Sequence, residues 1–360
     1  MITVKRDPYQ LHRTALAPLL PGAGKLELSK ASKAAVSISE QEFTVFLLRQ
    51  GLAPIWAAKL KKYELPLFSD ETTKTLRQAR LSATGEYLLQ RKSLGAIRTA
   101  LDEADIPHAV LKGQHTRERF FSEPALRPCA DIDLLIDPAD KVRAIKAMQG
   151  TGFTFYGSAE YISHECSLEK GKTYIDLHWD ILRPGRTKIP MAQTILSMRQ
   201  DYESHWGLSD NATLYLLLVH PVFTKYLTAP QASLVRQLDL IYLLESWANS
   251  WDTVVQLLSE SGLKTAAWLS LMWLTVLTGV SAPPDVMSKL QPGKIRRRYL
   301  ENWLVKDLST HWLDLPRVVQ LGFTLPAHDK WVDSVRAIKS IRDCRKLGKV
   351  TLATLEEQVS

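Results

Sequence analysis

The chain has 360 residues, 45% of them hydrophobic, which is enough to bury two domain cores and excludes a largely disordered protein. Lys and Arg (46) exceed Asp and Glu (38), and the net charge of +8 suits phosphate-bearing partners without requiring them. Three cysteines, Cys129, Cys166 and Cys344, form no close-spaced framework, which excludes a disulfide-stapled secreted fold and points to a reducing, cytoplasmic setting.

At the start, MITVKRDPYQLHR has no apolar run after its basic residues, so no signal peptide is expected. Residues 1–84 read as an N-terminal helical segment, because ISEQEFTVFLLRQ brings apolar residues back every three or four positions. The same period runs on from Glu71 to Ala104, as one long helix or two. Ala109, Val110 and Leu111 form a short first strand stopped by Gly113, and a helix is predicted from about Gln114. Residues 130–137 form the second strand, after which Asp137, Pro138 and Asp140 start a helix that Gly150 and Gly152 end. FTFYG, HECSLEKG and KTYIDLHWDIL predict three more strands, the last two joined through Lys170, Gly171 and Lys172.

From Asn211 onward the pattern is helical again. Its longest apolar stretch, residues 266–280, is shorter than the roughly 20 residues that span a bilayer, so Trp268 and Trp273 are expected in a core helix and no transmembrane segment is expected. The predicted class is α/β in the α+β sense. A mixed-sheet core at 85–200 has helices before it, a helical domain at 205–325 after it, and a basic helix or tail at 326–360.

The chemistry concentrates in RPCADIDLLID and TYIDLHW. Strand side chains alternate, so Asp131 and Asp133 share a face about 7 Å apart, while Ile132, Leu134 and Ile136 divide less cleanly between core and surface. In the later strand Thr173, Ile175, Leu177 and Trp179 share one face and Tyr174, Asp176 and His178 the other. Three strand-borne aspartates suggest a common focus, and oxygen ligands of this kind suit Mg²⁺ or Mn²⁺ in phosphorus-group transfer. A solvated edge strand is the plain alternative. Upstream, Gly113 permits close backbone approach, and the helix after it would aim free N–H groups at an anion, with Lys112 adding a point charge. Arg127 reads equally as a triphosphate contact or a loop arginine.

These motifs resemble the nucleotidyltransferase superfamily that includes polymerase beta, poly(A) polymerases and aminoglycoside nucleotidyltransferases. More narrowly, VLKG, RPCADIDLLI, the GF after a helix, YIDLHW, His220, LVRQLDLIYLL and Trp251-Asp252 resemble the bacterial nucleotidyltransferase family 5, over about residues 85–285. The resemblance implies that Asp131, Asp133 and Asp176 hold Mg²⁺ (or Mn²⁺) and that Asp176 helps deprotonate an acceptor. It also implies that Lys112, Gly113 and Gln114 meet the phosphates of an NTP. The implied activity moves a nucleotidyl group to a hydroxyl or phosphate acceptor; a small molecule or peptide is expected there, and RNA is an alternative that no motif supports. The departure from the superfamily is the Lys112-Gly113-Gln114 loop where Gly-Gly or Gly-Ser is usual. A non-catalytic nucleotide-sensing or protein-interaction module on the same fold is the alternative.

Other groups carry weaker expectations. His164, Cys166 and His178 are a candidate zinc set across a hairpin, although no fourth ligand is evident. His178 is otherwise a neighbour of Asp176 or a structural histidine. Arg236 and Asp239 read as a surface ion pair or, with His220 and Lys225, as a wall facing the nucleotide. Interleaved basic and apolar residues in GKIRRRYLENWLVK and WVDSVRAIKSIRDCRKLGK suggest a solvated helix face or a surface for RNA, anionic lipid or a partner, with no RNA-binding motif present.

Overall fold

A computed structural model describes residues 7–156, 164–229 and 232–346. Residues 1–6 of the N-terminal stretch, Gly157 at the end of FTFYG and residues 347–360 of the basic tail lie outside the described residues, as does the side chain of Cys344.

Four helices come first: α1 (Gln10–Leu16), α2 (Lys25–Ile38), α3 (Glu40–Arg49) and α4 (Ala53–Tyr63). The long apolar period then forms one helix of 34 residues, α5 (Asp70–Glu103). Ser69 caps it by accepting from the Thr72 N–H, and Asp70 and Glu71 sit at the positive end of its dipole. It stops where Asp105 turns left-handed at φ +51°.

Five strands form the main sheet: β1 (His108–Val110), β2 (Ile132–Ile136), β3 (Thr154–Phe155), β4 (Glu165–Lys170) and β5 (Thr173–His178), in the order β1-β2-β5-β4-β3. β2 and β5 are parallel, and the other pairs are antiparallel. Helices α6 (Lys112–Phe120) and α7 (Lys141–Gly150) follow β1 and β2. Ile132, Leu134 and Ile136 separate more cleanly than their sequence suggests. All three are fully buried with Ile175 and Leu177, in a core that also takes Leu94, Ile97 and Leu101 of α5 and Ile145 and Met148 of α7. Each such side chain contributes about 1.5–3 kcal/mol on burial, so this face fixes the register of both strands.

After α8 (Ala192–Leu196) comes a hairpin, β6 (Arg199–Tyr202) and β7 (His205–Leu208), which packs beside β1 and was not expected from the sequence. Its strands are four residues each and β6 is mostly exposed, too short and too polar for alternation to stand out. The helical half comprises α9 (Asp210–Thr224), α10 (Val235–Glu245), α11 (Trp251–Ser261), α12 (Lys264–Thr278), α13 (Pro284–Leu290), α14 (Lys294–Val305), α15 (Leu308–His311), α16 (Pro316–Val319) and α17 (Trp331–Lys346). α12 is the Trp-rich core helix, with Trp268 and Trp273 buried. No described helix is long and apolar enough to cross a membrane.

At 63% helix the chain is an α+β protein with a small mixed sheet. Leu16, Leu47 and Trp56 of the N-terminal helices share one large core with Leu214, Trp268 and Leu300 of the helical half. Leu135 of β2 joins that core, whereas Asp133, two residues earlier on the same face, opens into a cleft.

Candidate active site

The parallel ladder between β2 and β5 sets Asp176 directly across from Asp133, and His178 across from Leu135. Registered neighbours in a sheet project to the same face. Both carboxylates and the imidazole therefore leave the strands opposite Ile132 and Leu134. β4 runs antiparallel on the other side of β5, with Ser167 opposite Asp176 and Glu165 opposite His178. Ser167 Oγ donates to Asp176 Oδ1 at 2.5 Å. Ligand atoms of Asp133, Asp176 and His178 all lie within 4.8 Å of one another.

Asp133 is the electrostatic centre of this group. Its Oδ1 accepts from Lys112 Nζ at 2.7 Å and lies 2.8 Å from His178 Nε2. Burial opposes the charge on Asp133, but Lys112 and His178 outweigh burial and hold its carboxyl well below the usual carboxylate range. The other ring nitrogen of His178 lies 2.9 Å from Glu165 Oε2, out of line for a well-formed hydrogen bond. Burial and Lys112 push the imidazole towards the neutral form, yet Asp133 and Glu165 win and raise its pKa. Glu165, against burial, is held down at about 2 by His178. Lys112 reaches this position from a left-handed backbone at φ +48°, a conformation that costs a non-glycine residue about 1–3 kcal/mol.

Asp131 lines the same cleft just before β2. Burial and then the charges of Asp133 and Asp176 raise its pKa. Burial raises that of Asp176 as well, with Ser167 opposing and Asp133 adding to the rise. A divalent cation relieves this kind of crowding. The donor set, carboxylate oxygens with one imidazole, suits a divalent metal ion.

The cleft measures about 390 Å³. Asp131, Asp133, Lys112 and Gly113 face His220, Lys225 and Arg236 across it. His220, held by Thr224 Oγ1 at 3.1 Å, has its pKa lowered far by burial and then by Lys112 and Arg236. Burial and Arg236 also lower that of Lys225. The structure thus brings Asp133 and Asp176 within metal-ligand distance of each other and sets Asp131, Asp133, Lys112 and Gly113 along one cleft with His220, Lys225 and Arg236, while Asp131 falls outside the ligand group and Asp176 outside the cleft lining.

Several sequence expectations are corrected here. Asp239 is 1% exposed and pairs with Arg127 rather than Arg236, accepting from Nε at 3.1 Å and from Nη2 at 2.6 Å. Arg127 Nη1 donates to the Pro128 carbonyl at 2.7 Å. The guanidinium is thereby committed to joining the segment before β2 to α10. Gly113 is small for the same reason, since a Cβ there would stand 2.3 Å from Arg127 Nη1 and 2.9 Å from Cys129 Sγ. Gln114 is fully buried beside Arg117, whose Nη2 donates to its Oε1 and, at 2.8 Å, to Gln90 Oε1, and it does not line the cleft. In the proposed zinc set, Cys166 turns into the sheet core, and His164 and His178 meet Glu165 instead. The sequence reading passed over Glu165 and Ser167, although alternation in HECSLEK opposes both to Cys166 and Leu168 and was the signal available.

The site sets paired acids on two parallel strands beside a cleft along which Lys225 and Arg236 lie. The chain belongs to the family described as uncharacterised nucleotidyltransferase, whose model matches residues 37–279. The match takes in α3 to α5 ahead of the sheet and ends with α12, so α13 to α17 follow it. A comparison with curated proteins gives no match.

Proposed function

We propose that the protein catalyses metal-dependent transfer of a nucleotidyl group from an NTP to a hydroxyl or phosphate acceptor, in the cytoplasm. The observation that carries this reading is the register of Asp133 with Asp176 beside a cleft whose far wall is basic. Asp131, Asp133 and Asp176 would hold Mg²⁺ or Mn²⁺, with His178 as a further donor. A cation held there would supply charge neutralisation for the phosphates; in the reaction the bond between the α-phosphorus and the β-bridging oxygen breaks and pyrophosphate leaves. Lys112 then exchanges its ion pair with Asp133 for the phosphates. Lys225 and Arg236 neutralise the polyphosphate from the other side. Asp176, made more basic than an ordinary carboxylate by burial and like charge, accepts the acceptor's proton as the new oxygen–phosphorus bond forms. Two described cysteines, Cys129 and Cys166, are free, in keeping with a reducing compartment.

The test is to incubate purified protein with each α-labelled NTP, Mg²⁺ or Mn²⁺ and a metabolite or peptide extract, alongside Asp133→Asn. Transfer of label by the wild type alone supports the enzyme. Saturable NTP binding with no transfer in any extract supports the non-catalytic module.

A further inference from the structure

Away from the cleft lies a groove of about 1270 Å³. One wall comes from the ends of α11 and α12, and the other from α14, the segment before α17 and the start of α17. The second wall lies beyond the family match. Small-molecule pockets run at about 300–1,000 Å³, so this groove has room for a peptide element.

Its lining is basic and apolar. Lys188, Lys264, Lys294 and Lys330 contribute ammonium groups. None of the four has an ion-pair partner among the described residues. The two acids in the groove are already engaged. Asp329 accepts the N–H groups of Lys264 (3.1 Å) and Thr265 (2.7 Å) at the start of α12, and Asp333 pairs with Arg336. Arg296 turns inward to the carbonyls of His328 and Asp329, with the Trp331 ring over its guanidinium at 5.4 Å. That contact holds the indole at the rim, 68% exposed. Ile295 (89% exposed) and Leu321 (56%) stand with it, and Val332 and Val335 continue the apolar strip along α17.

We propose that this groove docks an acidic amphipathic helix of a partner protein. Four uncompensated lysines call for carboxylates, and the aliphatic anchors call for an apolar helix stripe, the usual mode of helix-in-groove recognition. Single-stranded RNA could stack on Trp331 and Tyr299, but the exposed anchors beside them, Ile295 and Leu321, are aliphatic, which favours an apolar helix stripe over bases. A bilayer would take the exposed strip of Trp331, Val332 and Val335 on α17 rather than the concavity lined by Ile295 and Leu321, and vesicle binding separates the two.

The probe is a fluorescein-labelled synthetic helix of about four turns with Leu at i, i+3, i+4 and i+7 and Glu elsewhere. A counterpart carries Lys in place of Glu. Anisotropy with the full-length protein should show saturable binding of the acidic helix, weakened by salt, and none of the basic one. Lys294→Glu with Lys330→Glu, and separately Trp331→Ala, should each weaken it by roughly tenfold or more with thermal midpoint and NTP binding unchanged. Equal binding of both helices, or indifference to these substitutions, overturns the proposal. So does concentration-dependent self-association abolished by the same variants, or binding to phosphatidylserine vesicles but not to the acidic helix.

Discussion

The two concave surfaces use the same residue types to opposite ends. Around Asp133, a lysine, a histidine and a glutamate are drawn into one bonded group, and behind it Arg127 and Asp239 are sealed together. Around Trp331, the lysines line a groove without forming an ion pair among the described residues, and its two acids serve a helix start and Arg336. Burial makes the difference. A desolvated charge has to be matched inside the chain, whereas an exposed one can wait for a partner. Preorganised chemistry belongs to the first surface and association to the second.

Asp133→Asn tests the comparison hardest. Label transfer should fall by about a thousandfold or more, roughly 4 kcal/mol in barrier. Lys112 and His178 should lose their shared acceptor, and the fold should weaken despite the relief of repulsion with Asp131 and Asp176. A variant with unchanged urea midpoint and unchanged Mn²⁺ response would show the bonded group to be incidental. Next, Asp239→Asn strands Arg127 in the interior and should cost about 3–5 kcal/mol in urea unfolding; a loss comparable to that of a surface charge would break the comparison.

Gly113→Ala should cost about 1–3 kcal/mol by forcing a methyl against the Arg127 guanidinium. Its loss of NTP binding should track its loss of stability, as calorimetry and thermal shift together would reveal. Glu165→Gln acts more gently, by less than about 1 kcal/mol at neutral pH for a partly exposed pair. In the wild type the pKa of His178 is raised above its ordinary 6.5, so its stabilising effect is complete below that value and fades as pH rises through the folded one. Glu165, held at about 2, stabilises above its ordinary 4.5 and loses that effect as pH falls. In Glu165→Gln both slopes should flatten; an unchanged stability–pH curve would mean that the pair is not formed. Smallest of all, Lys294→Glu with Lys330→Glu should move stability by no more than about 0.5 kcal/mol, and a larger thermal shift would mean that the groove lysines are structural.

What could be read beforehand follows the same division. Period two in IDLLI and TYIDLHW, and period three to four in α5 and α12, report burial on one face and are legible from local order alone. Asp131, Asp133 and Asp176 stood out because acids interrupt those patterns. The partner of Arg127 did not, since Asp239 lies 112 positions away and only packing of α10 against the segment before β2 unites them. Gly113 was legible as a tight spot, but the neighbour that makes it tight was not. The one-turn spacing of Arg236 and Asp239 left both a surface ion pair and a wall with His220 and Lys225 open, and the β6–β7 hairpin left too little alternation to notice.

Helix α5 carries a consequence for how the molecule comes apart. Its 34 residues form an unbroken rod of about 51 Å, with Leu76 anchored in the large helical core and Leu94, Ile97 and Leu101 anchored beneath the sheet. Neither core can melt without stripping apolar contacts from the shared helix. Unfolding should therefore be a single calorimetric transition, with far-ultraviolet and tryptophan signals superimposable. A fragment beginning at residue 85 would start inside this rod, with the anchor at Leu76 cut away, and is expected to aggregate rather than fold.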